Sequence, residues 1–151
     1  MTKQVMVHTL AFLALLQPAF AQYPGWQHEG SLYTITTPEG ADLPATASEE
    51  NFPLLVRLDK ATFNFSQAKA KGEDIRFSAA GQPLAYQIEE WAAAKGAASI
   101  WVKIPAIKGN ARQEIKLHWG KADAAGESDG SAVFNAGNGY ASVLHMNETL
   151  K

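Results

Sequence analysis

Apolar residues recur at every second position along most of this chain, and that period constrains its fold more than any other feature. A period of two puts successive side chains on opposite sides of an extended strand. In FPLLVRLD, Leu54, Val56 and Leu58 alternate with Leu55, Arg57 and Asp59. In SIWVKIP, Ile100, Val102 and Ile104 alternate with Trp101 and Lys103, and in EIKLHWG, Ile115, Leu117 and Trp119 alternate with Lys116 and His118. SLYTITTP is rich in β-branched and aromatic residues, which suit a pleated surface. The stretch GEDIRFSAAGQPLAYQIEEW reads as two more strands, Ile75/Phe77 and Leu84/Tyr86/Ile88, about a turn carrying Gly81 and Pro83. Turn signals separate these segments. The pattern predicts an all-β chain, an antiparallel, jelly-roll-like β-sandwich of about seven or eight strands.

Helical signal is thin. FSQAKAKG predicts one or two turns with Ser66 as N-cap and Gly72 just beyond the end. EEWAAAKGAA predicts a short turn or loop. Residues 123–139 are glycine-rich and predict a loop anchored by Val133 and Phe134. Alternation resumes in YASVLHMNE, read as a strand that opens a following domain, so the chain reads as a fragment of something longer. The expected organisation is a signal peptide over residues 1–21, a sandwich module over 22–135, and the start of a truncated, lectin-like domain over 136–151.

The N-terminal expectation rests on Lys3, an apolar run VMVHTLAFLALL and then Ala19-Phe20-Ala21, a small-x-small cleavage pattern. The run is shorter than the ~20 residues a membrane helix needs, and no second such run follows. An exported protein of the periplasm or the extracellular space is expected. Thirteen Lys and Arg against fifteen Asp and Glu leave a net charge of −2, which removes the main electrostatic reason to expect nucleic acid. There are no cysteines, so disulfides and thiolate chemistry are excluded. An apolar content of 46 % fits a folded globule.

Glu73 or Asp74 facing Glu89 or Glu90 has the composition of a glycosidase pair, which needs two carboxylates about 5–10 Å apart. Alternation instead puts Asp74 and Arg76 on a polar outer face, with Glu89 across from Arg76 as a cross-strand ion pair. Asp123, Glu127 and Asp129 offer oxygen ligands for calcium, but their spacing does not fit a calcium loop. His28, His118 and His145 are too scattered for zinc. No metal or cofactor is expected. Asn64 and Asn147 match the glycosylation formula, which recurs by chance. Trp91 and Trp119 are expected in the core. Trp101, Lys103 and His118 point away from the core, and if their strands pair they form one ligand-binding patch for a sugar. The competing reading has Trp101 covered by a loop or a neighbouring domain.

Taken together, Trp26, PLLVRLD (53–59), Gly72, Asp74 to Phe77, Gly81, Pro83, Leu84, Tyr86, Ile88, Glu89 and Trp91 follow a distinctive order. Ile100 to Pro105, Ile115, Leu117, Trp119, Gly120, Asp129, Gly130, Val133 and Phe134 complete it. This pattern resembles the bacterial module known as domain of unknown function 2341. The resemblance implies a neighbouring lectin-like sandwich and, in some members, a proton channel of the MotA/TolQ/ExbB type. It implies no catalytic residues. The expectation is a non-enzymatic, exported binding or spacer module of the bacterial envelope, with a glycan or envelope polymer as the candidate ligand. Alternatives are a periplasmic domain of a channel-linked biopolymer transport protein and, more distantly, a glycoside hydrolase.

Overall fold

The computed structural model describes residues 23–143. Within them, seven strands make two antiparallel sheets, the all-β sandwich that the period-two pattern predicts. The strands are β1 (His28–Ile35), β2 (Ser48–Asp59), β3 (Arg76–Ala79), β4 (Gln82–Leu84), β5 (Tyr86–Ala92), β6 (Ala97–Lys108) and β7 (Arg112–Trp119). One sheet has the order β1-β7-β3-β4 and the other β2-β6-β5. The expected signal segment, His145 and Asn147 lie outside the described residues. Among the described residues no helix is long and apolar enough to cross a membrane.

The core forms where the two sheets turn their apolar rows toward each other. Val56, Leu58, Ile100, Val102 and Ile104 come from one sheet, and Phe77, Leu84, Ile115 and Leu117 from the other. Each such side chain contributes about 1.5–3 kcal/mol when fully buried. Trp91 and Trp119 pack against this cluster, as expected. Phe63 is buried between them, with ring centroids 6.0 Å from Trp91 and 5.0 Å from Trp119. Pro105 is tolerated inside the long β6 because that stretch overhangs β5 and lies opposite the unpaired Asn51, where no ladder N–H is required.

The stretch 72–91 departs from a simple hairpin. β3 and β4 do pair about Ala80 and Gly81, both at positive φ. After Leu84 the chain changes sheet, so Tyr86 and Ile88 pair with β6 instead. The expected Arg76–Glu89 pair therefore does not form, because β3 and β5 belong to different sheets. Asp74 and Arg76 are also not on a solvated face, being only 1 % and 3 % exposed.

The helical pieces are short. Phe65–Gln67 is one 3-10 turn, capped by Asn64 rather than Ser66. The Asn64 Oδ1 accepts from the Ser66 N–H at 3.1 Å, which is the Asx-type turn available to that side chain. The segment after β7 is more ordered than a glycine-rich loop suggests. It contains α1 (Gly130–Val133) and a 3-10 turn at Ala136–Asn138. Residues 140–143 are not in a strand, and the rest of the strand expected there lies outside the described residues.

Candidate functional site

The strand register of the three-stranded sheet sets out its outer face in rows. Leu55, Trp101 and Gln87 form one row, Arg57, Ser99 and Glu90 the next, and Pro53 stands opposite Lys103. A bulge between Ile88 and Glu90 turns Glu89 toward the same face. Bulges of this kind re-aim side chains without breaking the sheet.

The segment after β7 lies over that face. The Asp129 N–H donates to the Tyr86 carbonyl at 2.9 Å, and the Ile88 N–H donates to Ser128 Oγ at 2.8 Å. Asp129 then caps α1, accepting from the N–H groups of Ser131 and Ala132. Its bond with the Ser131 hydroxyl, with those backbone bonds, holds its carboxyl below the ordinary range. Val133 is the fully buried anchor of the turn. Phe134 reaches Trp101 edge-on at 5.5 Å between centroids, and Tyr140 reaches Phe134 at 5.1 Å. Asn138 Nδ2 donates to the Asn51 carbonyl on β2 at 3.3 Å. The segment thus crosses the sheet from β5 over β6 to β2.

Between segment and sheet is a cavity of about 600 Å³ lined by Phe52, Arg57, Glu89, Ser99, Trp101 and Tyr140 among others. That volume falls in the range of small-molecule sites, and the mixture of aromatic walls with a few polar groups is typical of them. Trp101 is half-buried. Phe134 packs on one edge of the ring, as the covering-loop reading expects, while the ring still lines an open cavity.

His118 does not join this patch. It lies on β7, in the other sheet, and is 6 % exposed. Its register partners Glu29 and Arg76 place three polar side chains in one row of the outer face. His118 Nε2 shares a hydrogen bond with Ser78 Oγ at 3.0 Å, and its Nδ1 is 3.5 Å from Glu29 Oε2. The Tyr23 ring covers the imidazole at 4.8 Å, and its hydroxyl donates to the Phe77 carbonyl. Burial lowers the His118 pKa, Glu29 opposes the shift and Lys116 adds to it. A carboxylate–imidazole–hydroxyl chain is the order of a nucleophilic relay. Here, however, Ser78 is only 3 % exposed, and its strand is paired on both sides, with β4 and β7. The chain of contacts ties Tyr23 down onto the sheet.

Beside it, Asp74 and Arg76 knit the sandwich to its connecting loops. The Asp74 carboxylate accepts the Lys69 N–H at 2.8 Å and the Gly120 N–H at 2.7 Å, while its carbonyl accepts the Trp26 indole N–H at 2.6 Å. The Arg76 guanidinium donates to the carbonyls of Glu73, Ile75 and Ala125 and to the Tyr86 hydroxyl. Its carboxylate partner is Glu127 at 2.8 Å. Trp26 lies over this cation at 5.3 Å. A buried charge is tolerated when its hydrogen-bonding groups are all engaged.

The other acidic candidates disperse. Asp123 pairs with Lys121 at 3.1 Å, Glu127 with Arg76, and Asp129 caps α1. No group of three or more His, Asp or Glu side chains able to hold a metal occurs among the described residues. Glu73 and Asp74 precede β3, whereas Glu89 and Glu90 belong to β5 of the other sheet. Both Asp74 oxygens are already occupied, so these pairs do not present two free carboxylates to one cleft.

Residues 71–142 match the family model described as Domain of unknown function (DUF2341). That stretch of the chain is similar to this family. The DUF2341 match takes in β3 to β7, α1 and the crossing segment, including Trp101 and Phe134. β1 and β2 lie outside the matched residues, yet each completes a sheet of the same sandwich. No curated protein and no solved structure matches the chain.

Sequence reasoning passed over Arg57 as a residue lining this cavity. Alternation already placed it on the polar side of β2, but only strand pairing shows it one row from Trp101. The same holds for Ser78, whose closeness to His118 depends on the β3–β7 register.

Proposed function

We propose that this DUF2341 module is a non-catalytic, exported binding domain that holds a glycan or another envelope polymer on the outer face of its three-stranded sheet. The aromatic-walled cavity at Trp101 carries the reading. Trp101, Phe134 and Tyr140 offer flat apolar surface for the faces of sugar rings, while Arg57 and Ser99 offer groups that hydrogen-bond hydroxyls. The N-terminal apolar run with its Ala19-Phe20-Ala21 pattern supports export. His118, which the sequence grouped with Trp101 and Lys103, takes no part.

Glycan-array binding by the full chain tests the proposal. Trp101→Ala is expected to abolish binding while leaving the fold intact, and failure of the unaltered protein to bind any glycan counts against it. A second reading makes the module a spacer or partner-contacting domain of a longer, channel-linked transport protein. Val143 favours it, because it lines the same cavity just before the chain continues. Genomic sequence running on from Lys151 into a lectin-like sandwich and membrane helices would support it, and a stop codon there would remove it.

A further inference from the structure

We infer that the polymer held on the Trp101 face is an acidic one, a glycan bearing carboxylates, an inference that rests on the binding reading above. The three arginines of the chain are placed very differently. Arg76 is saturated by carbonyls, a hydroxyl and Glu127, and Arg112 lies over the Tyr33 ring at 3.9 Å. Arg57 lines the cavity, is exposed, and has no hydrogen bond or ion pair among the described residues. A planar guanidinium with all its donors free beside an aromatic wall is suited to bidentate recognition of a carboxylate.

Lys103 extends the same logic. It stands on the outer face two residues beyond Trp101, opposite Pro53, and its ammonium has no partner among the described residues. Arg57 pairs in register with Ser99, two residues before Trp101. The two cations therefore bracket the ring, with their rows ~13 Å apart along the strand. A polymer with carboxylates on successive units can meet both while one ring stacks on Trp101. Glu89 faces the cavity too, but it is already engaged within the fold.

Calorimetric titration of the full chain with polygalacturonate, and with the same polymer after reduction of its carboxyl groups, tests the inference. The acidic polymer is expected to bind at least about tenfold more tightly, and to weaken as salt rises. Arg57→Gln should remove about tenfold of that affinity, Lys103→Gln less, and Trp101→Ala all of it. Equal affinity for the reduced polymer, or no change in Arg57→Gln, overturns the acidic assignment and leaves glycan binding standing. Binding to neither polymer, nor to any glycan on the array, overturns both.

Discussion

Asp74→Asn is the most informative single change, because it keeps the shape of the side chain while removing its charge and one of its two acceptor oxygens. In the native protein each carboxylate oxygen accepts one backbone N–H, from Lys69 and from Gly120. Asparagine has one acceptor oxygen, so its amide group must point two hydrogens at whichever N–H remains. One bond to a charged acceptor is lost, about 1.5–3 kcal/mol, and one donor is left facing another, about 1–3 kcal/mol. Relief from burying a charge offsets part of this, leaving a net loss of about 2–4 kcal/mol. Against a typical total of about 5–15 kcal/mol, that is a large fraction. Urea unfolding followed by tryptophan fluorescence is the assay. The midpoint should fall by roughly 1–2 M with the slope unchanged. Trp26 should report the loss as well, since its indole N–H bonds the Asp74 carbonyl. A midpoint within about 0.3 M of the unaltered protein, well inside the expected loss, would refute the view that this buried carboxylate anchors the loops.

Further outcomes follow from single positions. Gly72 and Gly81 both have left-handed backbones, at φ +72° and +74°, but a Cβ on Gly72 would lie 2.8 Å from the Trp91 ring while one on Gly81 meets nothing within 4 Å. Gly81→Ala should therefore cost about 1 kcal/mol and Gly72→Ala clearly more, at least about 2 kcal/mol. Equal melting temperatures for the two variants would contradict the packing described. His118 titrates below its ordinary range because it is buried, so the unfolded chain binds more protons than the folded one just below pH ~6.5. Stability should drop as pH falls through that window, and His118→Asn should flatten the slope between pH 7 and 5. An identical slope in the variant would show that the imidazole is not responsible.

Much of the architecture is readable from the chain because burial and alternation are the same fact in a two-layer sandwich. Ile100, Val102, Ile115 and Leu117 announce their faces by spacing alone, and the structure buries all four. The rule misleads at Asp74 and Arg76. Alternation states only that they oppose Ile75 and Phe77, and in an isolated hairpin the opposing side is solvent. Here Tyr23, Trp26 and residues 120–127 lie across that side, so both faces of the strand are buried and the charges are met by backbone groups. Two aromatic residues ahead of the first strand were the available signal that something polar would be covered.

The class of fold, the inward rows of each long strand, the lack of thiol chemistry and the likeness to DUF2341 are legible in the chain, since these depend on residue type and local spacing. Which strands share a sheet is set only when the chain folds. That choice separated His118 from Trp101, sent Arg76 to Glu127 rather than Glu89, and brought Arg57 alongside Trp101. Pairing between strands distant in the chain is set by how two apolar faces close over one another, and no local period encodes it.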